Sequence, residues 1–436
     1  MKLNSIKLPH LKAAAGSSSE KIALPQKIVI SMSQHGGVPC VPVVSVGDTV
    51  KTGQLVGKCD VVMSAPIHSS VTGKVVDIIG TLNVFGKMHD ALVIETVPNQ
   101  VLSENIKPPV ISSREDFINA VKESGSVGLG GAGFPTHIKF GYDHKSVHID
   151  TLVVNGAECE PYITSDYRTF IEDGERVADG IRRIMEYLDI ENAVIGIESD
   201  KPEAISKMTE LTANDRTISV IKLRSSYPQG AEKVLIKNTT GREVPKGELP
   251  SAVGCLVVNC STAAFISEYL KTGIPLIKRR VTVDGNIVNK PRNFIVPIGT
   301  RAADIISAAD IRMQPDRVIF GGPMMGTSIY DPETPVLKTI NAVLLFSDTK
   351  TDKQTACIRC GRCVRACAMG LMPTEIEHAF DMRDVERLKK LHVRQCMNCG
   401  ACSFVCPAKR ELSEKNQLAK LFLREQLSKN ERKGQI

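Results

Sequence analysis

The residues best suited to chemistry stand near the C-terminus, between Cys357 and Cys406. The run CIRCGRCVRACAMGLMP and the later run CMNCGACSFVCPAK share the spacing C-x2-C-x2-C-x3-C, with 28 residues between Cys367 and Cys396. Thiolates so spaced hold a cubane 4Fe-4S cluster, and in two-cluster proteins the fourth cysteine of each run reaches the other cluster. Cys357, Cys360, Cys363 and Cys406 are therefore expected on one cluster, and Cys396, Cys399, Cys402 and Cys367 on the second. Pro373 and Pro407 follow the fourth cysteines and stop the local helices. Structural zinc usually takes two Cys pairs across a longer loop, and disulfides need an oxidising compartment that nothing here signals. Cys40, Cys59, Cys159, Cys255 and Cys260 show no ligand spacing and read as small buried hydrophobes.

The elements that position these groups need several cores, and 436 residues suffice for about three domains. A hydrophobic content of 42% with 24% charged residues is ordinary for globular protein. The start, MKLNSIKLPHLKAAAGSSSEK, has no continuous apolar run, so neither a signal peptide nor an anchor is expected. No stretch approaches the ~20 apolar residues of a membrane helix. The expectation is a soluble or peripheral protein of a reducing cytoplasm. The net charge is +7, and the last 86 residues alone hold 17 Lys and Arg against 10 Asp and Glu, leaving the rest neutral. A basic rim around an electron exit suits an acidic redox partner or a membrane face; the same excess also suits a solvated helical surface. Aromatic content of 4% and the absence of Trp argue against nucleic acid as a partner.

Residues 1–26 read as a flexible lead containing AAAGSSSE. Residues 27–100 alternate short strands with glycine turns. VPVVSVGDTVKTGQLVGK and SAPIHSSVTGKVVDI look like the hairpins of a biotinyl/lipoyl-type barrel-sandwich domain. Its tip, KCDVVMSAP, lacks the Met-Lys-Met of a carrier, so the domain is expected to be structural, with docking as its task.

SSREDFINAVKES reads as a capped amphipathic helix, with Phe117, Ile118 and Val121 on one face and Ser112 or Ser113 as cap. GSVGLGGAGFPTHIKF follows. Gly128, Gly130 and Gly133 match a dinucleotide fingerprint, but a helix precedes them and Phe134-Pro135 follows, so the simple strand–turn–helix reading fails. Glycines still let backbone amides approach an anion; a ligand-free turn is the plain alternative. TLVVNGAECEPYITSDYR then begins as a buried strand and ends in polar residues, where α/β sheets place ligands. Three further strand–helix units complete an α/β layer over 108–270.

GLGGAGFPT, NGAECEP, YPQGAEKVLI and NCSTA, in this order, resemble the flavin- and NADH-binding subunit of respiratory complex I. With the sandwich domain first and two ferredoxin motifs last, nearly all of 27–410 resembles the RnfC subunits of the Rnf electron transport complexes. TGREVPKGELP and GGPMMG add to the match, whereas residues 1–26 lack a GGIHP-type opening. The resemblance implies FMN and NAD(H). Gly128, Gly130, Gly131 and Gly133 would line flavin and nicotinamide, Lys139 would meet the FMN phosphate, and Asn155, Asn259 and Thr262 would hold the flavin. Glu158 and Glu160 match two acidic positions, Tyr227 belongs to the YPQGAEKVLI match, and Phe134 is a candidate to stack on a ring or to pack after the turn. Complex I has an acid at the position of Ala157 and a Glu pair at Ala231-Glu232, so some polar flavin contacts are missing.

Residues 271–335 read as strands flanking a hairpin turn at Asp284-Gly285, for which the family implies a β-grasp domain; a ferredoxin-type domain over 350–410 and a basic C-terminal helix or tail over 411–436 follow. GGPMMGT reads as a structural turn. Thr374 and Glu377 offer a capping box, and Ile376, Phe380, Leu388 and Leu391 an apolar face. The implied activity is hydride exchange between nicotinamide and FMN, with single electrons passed to two 4Fe-4S clusters. Its setting is a membrane ferredoxin:NAD oxidoreductase in which ferredoxin-like and membrane subunits pump sodium or protons. With no spanning helix, this chain would sit peripherally on the cytoplasmic face of a bacterial membrane through those subunits. Alternatives are a microcompartment cobalamin reductase, an electron-relay adaptor lacking a nucleotide site, and a swinging-arm carrier, which the missing tip lysine disfavours.

Overall fold

The computed structural model describes residues 3–82, 88–348 and 353–433. The last three residues of the 411–436 segment lie outside them. The N-terminal half opens with β1 (Glu20–Lys21), then β2 (Lys27–Ser31), β3 (Val41–Pro42), β4 (Thr49–Val50), β5 (Leu55–Lys58), β6 (Ile67–His68), β7 (Gly73–Leu82) and β8 (Met88–Thr96). Two sheets, ordered β2-β8-β7-β4 and β3-β5-β6, close on Ile28, Ile30, Val56, Ile67, Val75, Leu92 and Ile94. Alternation of apolar and polar residues puts these side chains on one face.

The central layer holds α1 (Arg114–Glu123), α2 (Thr136–Phe140), β9 (Thr151–Gly156), α3 (Ser165–Leu188), β10 (Asn192–Glu198), α4 (Pro202–Leu211), β11 (Ile218–Leu223), α5 (Glu232–Thr240), β12 (Cys255–Asn259) and α6 (Cys260–Thr272). Ser113 caps α1, accepting from the Asp116 amide at 3.1 Å. The four strands are parallel in the order β11-β10-β9-β12. Both faces are covered, so the strands are near-continuous apolar runs. Leu152 and Val154 face α3 and α6, while Val153 faces Leu235 and Ile236 of α5.

A mixed sheet follows: β13 (Lys278–Asp284), β14 (Arg292–Pro297), α7 (Ala302–Ala308), β15 (Arg317–Phe320), β16 (Thr327–Ile329) and β17 (Ala342–Phe346), in the order β1-β14-β13-β17-β15-β16. The ladder continues to Phe346, past the expected limit of 335, because β17 enters the middle of the sheet parallel to β13. The connection after Asp284 runs through residues 285–291 rather than a two-residue turn, with Gly285 at φ 139° against the Leu345 carbonyl. The cluster module has α8 (Arg362–Ala366), α9 (Pro373–Asp381), α10 (Val385–Lys390), α11 (Ala401–Phe404) and α12 (Leu412–Lys433). Ile376, Phe380 and Leu388 are buried with Ala419 and Leu423 of α12. The capping box at Thr374 does not form: α9 starts at Pro373, and Met372 holds the cap position without a side-chain bond.

Residues 3–26 are not a loose lead. Ala14 is fully buried, Ile6 pairs antiparallel with Tyr227, and β1 adds to the edge of β14. The small residues of AAAGSSSE fit a narrow path along α3 and β14: the Ala14 carbonyl accepts from Asn293, that of Ala15 from Arg168, and the Ser19 amide donates to Glu172.

Helices α3 and α6 meet closely at Gly180, where a Cβ would lie 1.9 Å from the Ala263 carbonyl oxygen. Gly180→Ala must push the helices apart and should cost about 1–3 kcal/mol of stability, the usual penalty of overpacking. Urea denaturation would read it as a lowered midpoint; an unchanged midpoint would disprove the close approach.

Candidate flavin and cluster site

The carboxyl end of the parallel sheet is built by three loops. Asn155 and Asn259 pair as the last register positions of β9 and β12. Asn155 Nδ2 donates to the Gly230 carbonyl at 2.9 Å, and its Oδ1 accepts from the Ala157 amide at 3.2 Å. Asn259 caps α6 by accepting from Ser261 N at 2.8 Å, and its Nδ2 donates to Asp166 at 2.7 Å. Over these residues lies the glycine loop between α1 and α2. A Cβ on Gly130 would sit 2.5 Å from Asn259 Nδ2, so only glycine allows this approach. Gly133 has φ 66°, Gly131 faces open space, and Leu129 N donates to Thr262 Oγ1 at 3.2 Å. Gly128 donates to the Phe134 carbonyl at 2.9 Å, closing the loop, and the Phe134 ring is left 38% exposed. The barrel-sandwich domain docks here: Gly36 N donates to the Gly133 carbonyl at 2.9 Å, and Lys338 bridges the Pro66 and Gly125 carbonyls at 2.8 Å each.

Gly131 leaves its side of this loop cradle free of side chains, whereas Gly130 packs directly on Asn259. Lys139 is the cation present for a phosphate, but its Nζ donates to Glu232 at 3.2 Å and to the Val257 carbonyl at 2.9 Å. A phosphate there must share Lys139 with Glu232.

The acidic turn after β9 fixes the elements around it. Glu158 accepts from the amides of Asp166 and Tyr167, at 2.6 and 3.1 Å, and so caps α3, which Thr164 leaves uncapped. Burial raises its pKa even at the helix N-terminus and beside Lys12. Glu160 accepts from the Met324 amide at 3.0 Å, joining the turn to the Gly321–Gly326 loop. Tyr227 is 1% exposed, and its hydroxyl donates to the Cys399 carbonyl at 2.6 Å, directing it to the cluster module. Two groups had no sequence signal as site residues. Asp166 accepts from both Asn259 and Ser261, and Lys12 reaches the acidic turn from the far end of the chain.

The two cysteine runs repeat one backbone. Arg359 and Gly361 are left-handed, as are Asn398 and Gly400; Gly370 and Lys409, each three residues beyond a fourth cysteine, match too. Burial, with the nearby Cys396, Cys399 and Cys367, pushes the Cys402 thiol up to about 12. Cys363 likewise feels Cys406, while Arg410 faces both Cys357 and Cys406. The chain thus brings Cys367 to the second run and Cys406 to the first, two sets of four that fit two cubane clusters. The Cys396 set abuts Tyr227, and a Cβ on Gly400 would stand 2.7 Å from the Met324 carbonyl; Cys357 and Cys360 are exposed.

The chain matches the RnfC barrel sandwich hybrid domain over 3–98, the Nuo51 FMN-binding domain over 121–268 and a 4Fe-4S dicluster domain over 356–409. It is 41% identical over 371 residues to the C subunit of the proton-translocating ferredoxin:NAD(+) oxidoreductase complex of Clostridium ljungdahlii, covering 83% of this chain and 80% of that protein. The chain belongs to the RnfC family of ion-translocating ferredoxin:NAD oxidoreductase complexes. The Na(+)-translocating counterpart of Acetobacterium woodii is 39% identical over 362 residues, covering 81% of each chain. The C subunit of the ion-translocating oxidoreductase complex of Rhodobacter capsulatus is 36% identical over 432 residues, covering 96% of this chain and 82% of that one. Two solved structures of an NAD+-reducing NiFe hydrogenase share the fold at 17% identity, with TM-scores of 0.50 and 0.52; this chain spans 61% and 60% of their lengths. FMN and two 4Fe-4S clusters are the cofactors of these domains.

Burial raises Glu160 from an ordinary 4.5 to about 7. Between those values the folded chain keeps a proton that the unfolded chain has released. The stability Glu160 contributes is therefore full below about 4.5, falls as pH rises and is gone above about 7. Glu160→Gln should gain stability over the parent progressively across that window, read from urea midpoints at stepped pH; parallel pH profiles would refute the assignment. Separately, Cys406→Ser and Cys357→Ser should delete the same EPR signal of the reduced protein, and Cys367→Ser and Cys396→Ser the other. Pairing of Cys406 with Cys396 in this test would show that the runs do not cross.

Proposed function

We propose that the chain is the NADH- and FMN-binding peripheral subunit of a membrane-bound Rnf complex, carrying electrons between ferredoxin-derived carriers and NAD. The observation that carries this reading is the Tyr227–Cys399 contact, which sets one four-cysteine group against the loops of the FMN-binding domain. Bound FMN exchanges a hydride with nicotinamide and single electrons with the clusters. The protein's own task is positioning. Gly131 keeps a side chain off the ring face, Gly130 lets the loop close on Asn259, Asn155 and Asn259 present polar groups at the sheet's end, and Phe134 offers a partly exposed ring. Gly128, Gly133, Thr262, Lys139, Glu158, Glu160 and Tyr227 complete the proposed cofactor-binding set, the last three by fixing loops rather than by facing the cradle.

Cys396, Cys399, Cys402 and Cys367 would hold the inner cluster, and Cys357, Cys360, Cys363 and Cys406 the outer one. Exposed Arg359, Arg362 and Arg365 surround the outer run and suit an acidic, ferredoxin-like partner. Among the described residues no helix is long and apolar enough to cross a membrane, so attachment to the cytoplasmic face and ion pumping fall to the other members of the complex. A second reading, a relay lacking a working nucleotide site, draws on the Lys139–Glu232 pair and on Ala157 and Ala231.

An anaerobic NADH titration of the FMN-reconstituted protein, followed by visible absorption and EPR, separates the two. Flavin bleaching accompanied by reduced-cluster signals is expected. Clusters that reduce with dithionite while the flavin ignores NADH would leave only the relay.

A further inference from the structure

The N-terminal segment, loose by its composition, touches every unit that must stay in register for electrons to pass. Asn4 Nδ2 donates to the carbonyl of Cys367, a residue of the inner set, at 3.1 Å. Ile6 exchanges backbone hydrogen bonds with Tyr227, both at 2.8 Å, and Ile6 and Leu8 pack with Tyr227, Ala366, Ala401 and Cys399. His10 pairs with Asp200 at 2.8 Å, just beyond the end of β10.

Lys12 then turns inward. Its ammonium has three hydrogens, and three backbone carbonyls accept them: Glu158 at 2.9 Å, Glu160 at 2.7 Å and Ile163 at 2.5 Å. No donor remains to hydrogen-bond a carboxylate, so Lys12 holds the path of the acidic turn through its backbone and reaches the Glu158 and Glu160 carboxylates by charge alone. That turn contains two non-glycine residues at positive φ, Glu158 at 49° and Tyr162 at 70°, a backbone that needs outside support. Its far end is fixed to the Gly321–Gly326 loop through Glu160, and that loop meets Gly400 of the inner cysteine run. Strap, turn and loop therefore surround the junction between the FMN-binding domain and the cluster module.

We propose that residues 3–16 are a docking strap, with Lys12 as the positioning residue that templates the acidic turn and holds the inner cluster against the flavin cradle. The proposal rests on the electron-transfer function given above. Without Lys12 the turn loses its template, the junction opens for part of the time, and electrons wait for redocking. Three hydrogen bonds are lost together, each worth up to roughly tenfold in the docking equilibrium, so a slowing of roughly tenfold or more is expected.

The test compares Lys12→Met, which keeps length and apolar stem, with Lys12→Arg, which keeps charge and donors, in the full-length reconstituted protein. Hydrogen–deuterium exchange should show residues 158–163 and 399–404 losing protection in Lys12→Met, with β9 to β12 unchanged, and partial recovery in Lys12→Arg. In anaerobic stopped flow, NADH should bleach the flavin of Lys12→Met at the parental rate while cluster reduction lags roughly tenfold. Iron and FMN content should stay at parental values. Parental exchange and parental cluster reduction in Lys12→Met would overturn the proposal. Loss of FMN or of flavin bleaching, with cluster transfer following at its normal ratio, would overturn it as well, because Lys12 would then serve the flavin cradle. Should Lys12→Met fail to fold, Asn4→Ala with Ile6→Ala loosens the strap at its other end and must give the same lag. A parent protein that never passes electrons from NADH to its clusters would refute the function, while the exchange result would still decide the strap.

Discussion

The turn Ala157–Thr164 carries the constraint on which the rest of the architecture depends. It leaves the central strand of a parallel sheet, so its carbonyls and carboxylates crowd into a space walled by protein. Buried backbone acceptors must be met, and here a single ammonium meets three of them. With the backbone so held, the two carboxylates are free for other work. Glu158 takes the first amides of α3, a helix of 24 residues whose buried side packs on β9 and α6. Glu160 takes the Met324 amide and so ties the turn to the loop that meets the cluster module. The turn therefore links the start of α3 to the loop that meets the cluster module.

The charges around it are costly to bury, and their arrangement shows how that cost is met. Lys201 is 4% exposed and pairs with Glu198 and Asp200, both at 3.0 Å. An ion removed from water loses several kcal/mol of solvation even after relaxation, and a mutual pair returns this only with good geometry and further hydrogen bonds. The network is thus better understood as specifying one arrangement than as a source of stability.

How far the sequence reveals this structure depends on the range of the interaction. The cysteine runs are legible because ligand spacing is chemistry, and the α/β layer because a doubly covered parallel sheet demands unbroken apolar strands such as Leu152–Val154. The Ser113 cap is local and equally plain. What escapes is long-range. Lys12 sits in a stretch that reads as polar and low in complexity, and its partners lie about 150 positions away. The small residues beside it signal flexibility in isolation, yet Ala14 is fully buried and its carbonyl accepts from Asn293. Tyr227 stands in a motif that points to nucleotide binding, while its hydroxyl answers a carbonyl of the cluster module. At Thr374 the capping pattern is present but loses to Pro373, whose fixed φ makes it the better first residue of the helix.

The cluster module shows the same tension between repeat and context. Its two runs are near-copies in backbone, down to the left-handed residue before the second cysteine and the glycine after it. With the same left-handed positions in both runs, the surroundings are what distinguish the two sets. One run is pressed against Tyr227 and Met324, with Cys402 buried and Cys399 half-buried; the other leaves Cys357 and Cys360 at the surface among arginines. Solvent exposure and nearby charge are among the levers that set cluster potential. A duplicated fold docked by one end therefore acquires two unequal sites without any change in its ligands, and the docking contacts, not the cysteines, decide which site faces inward.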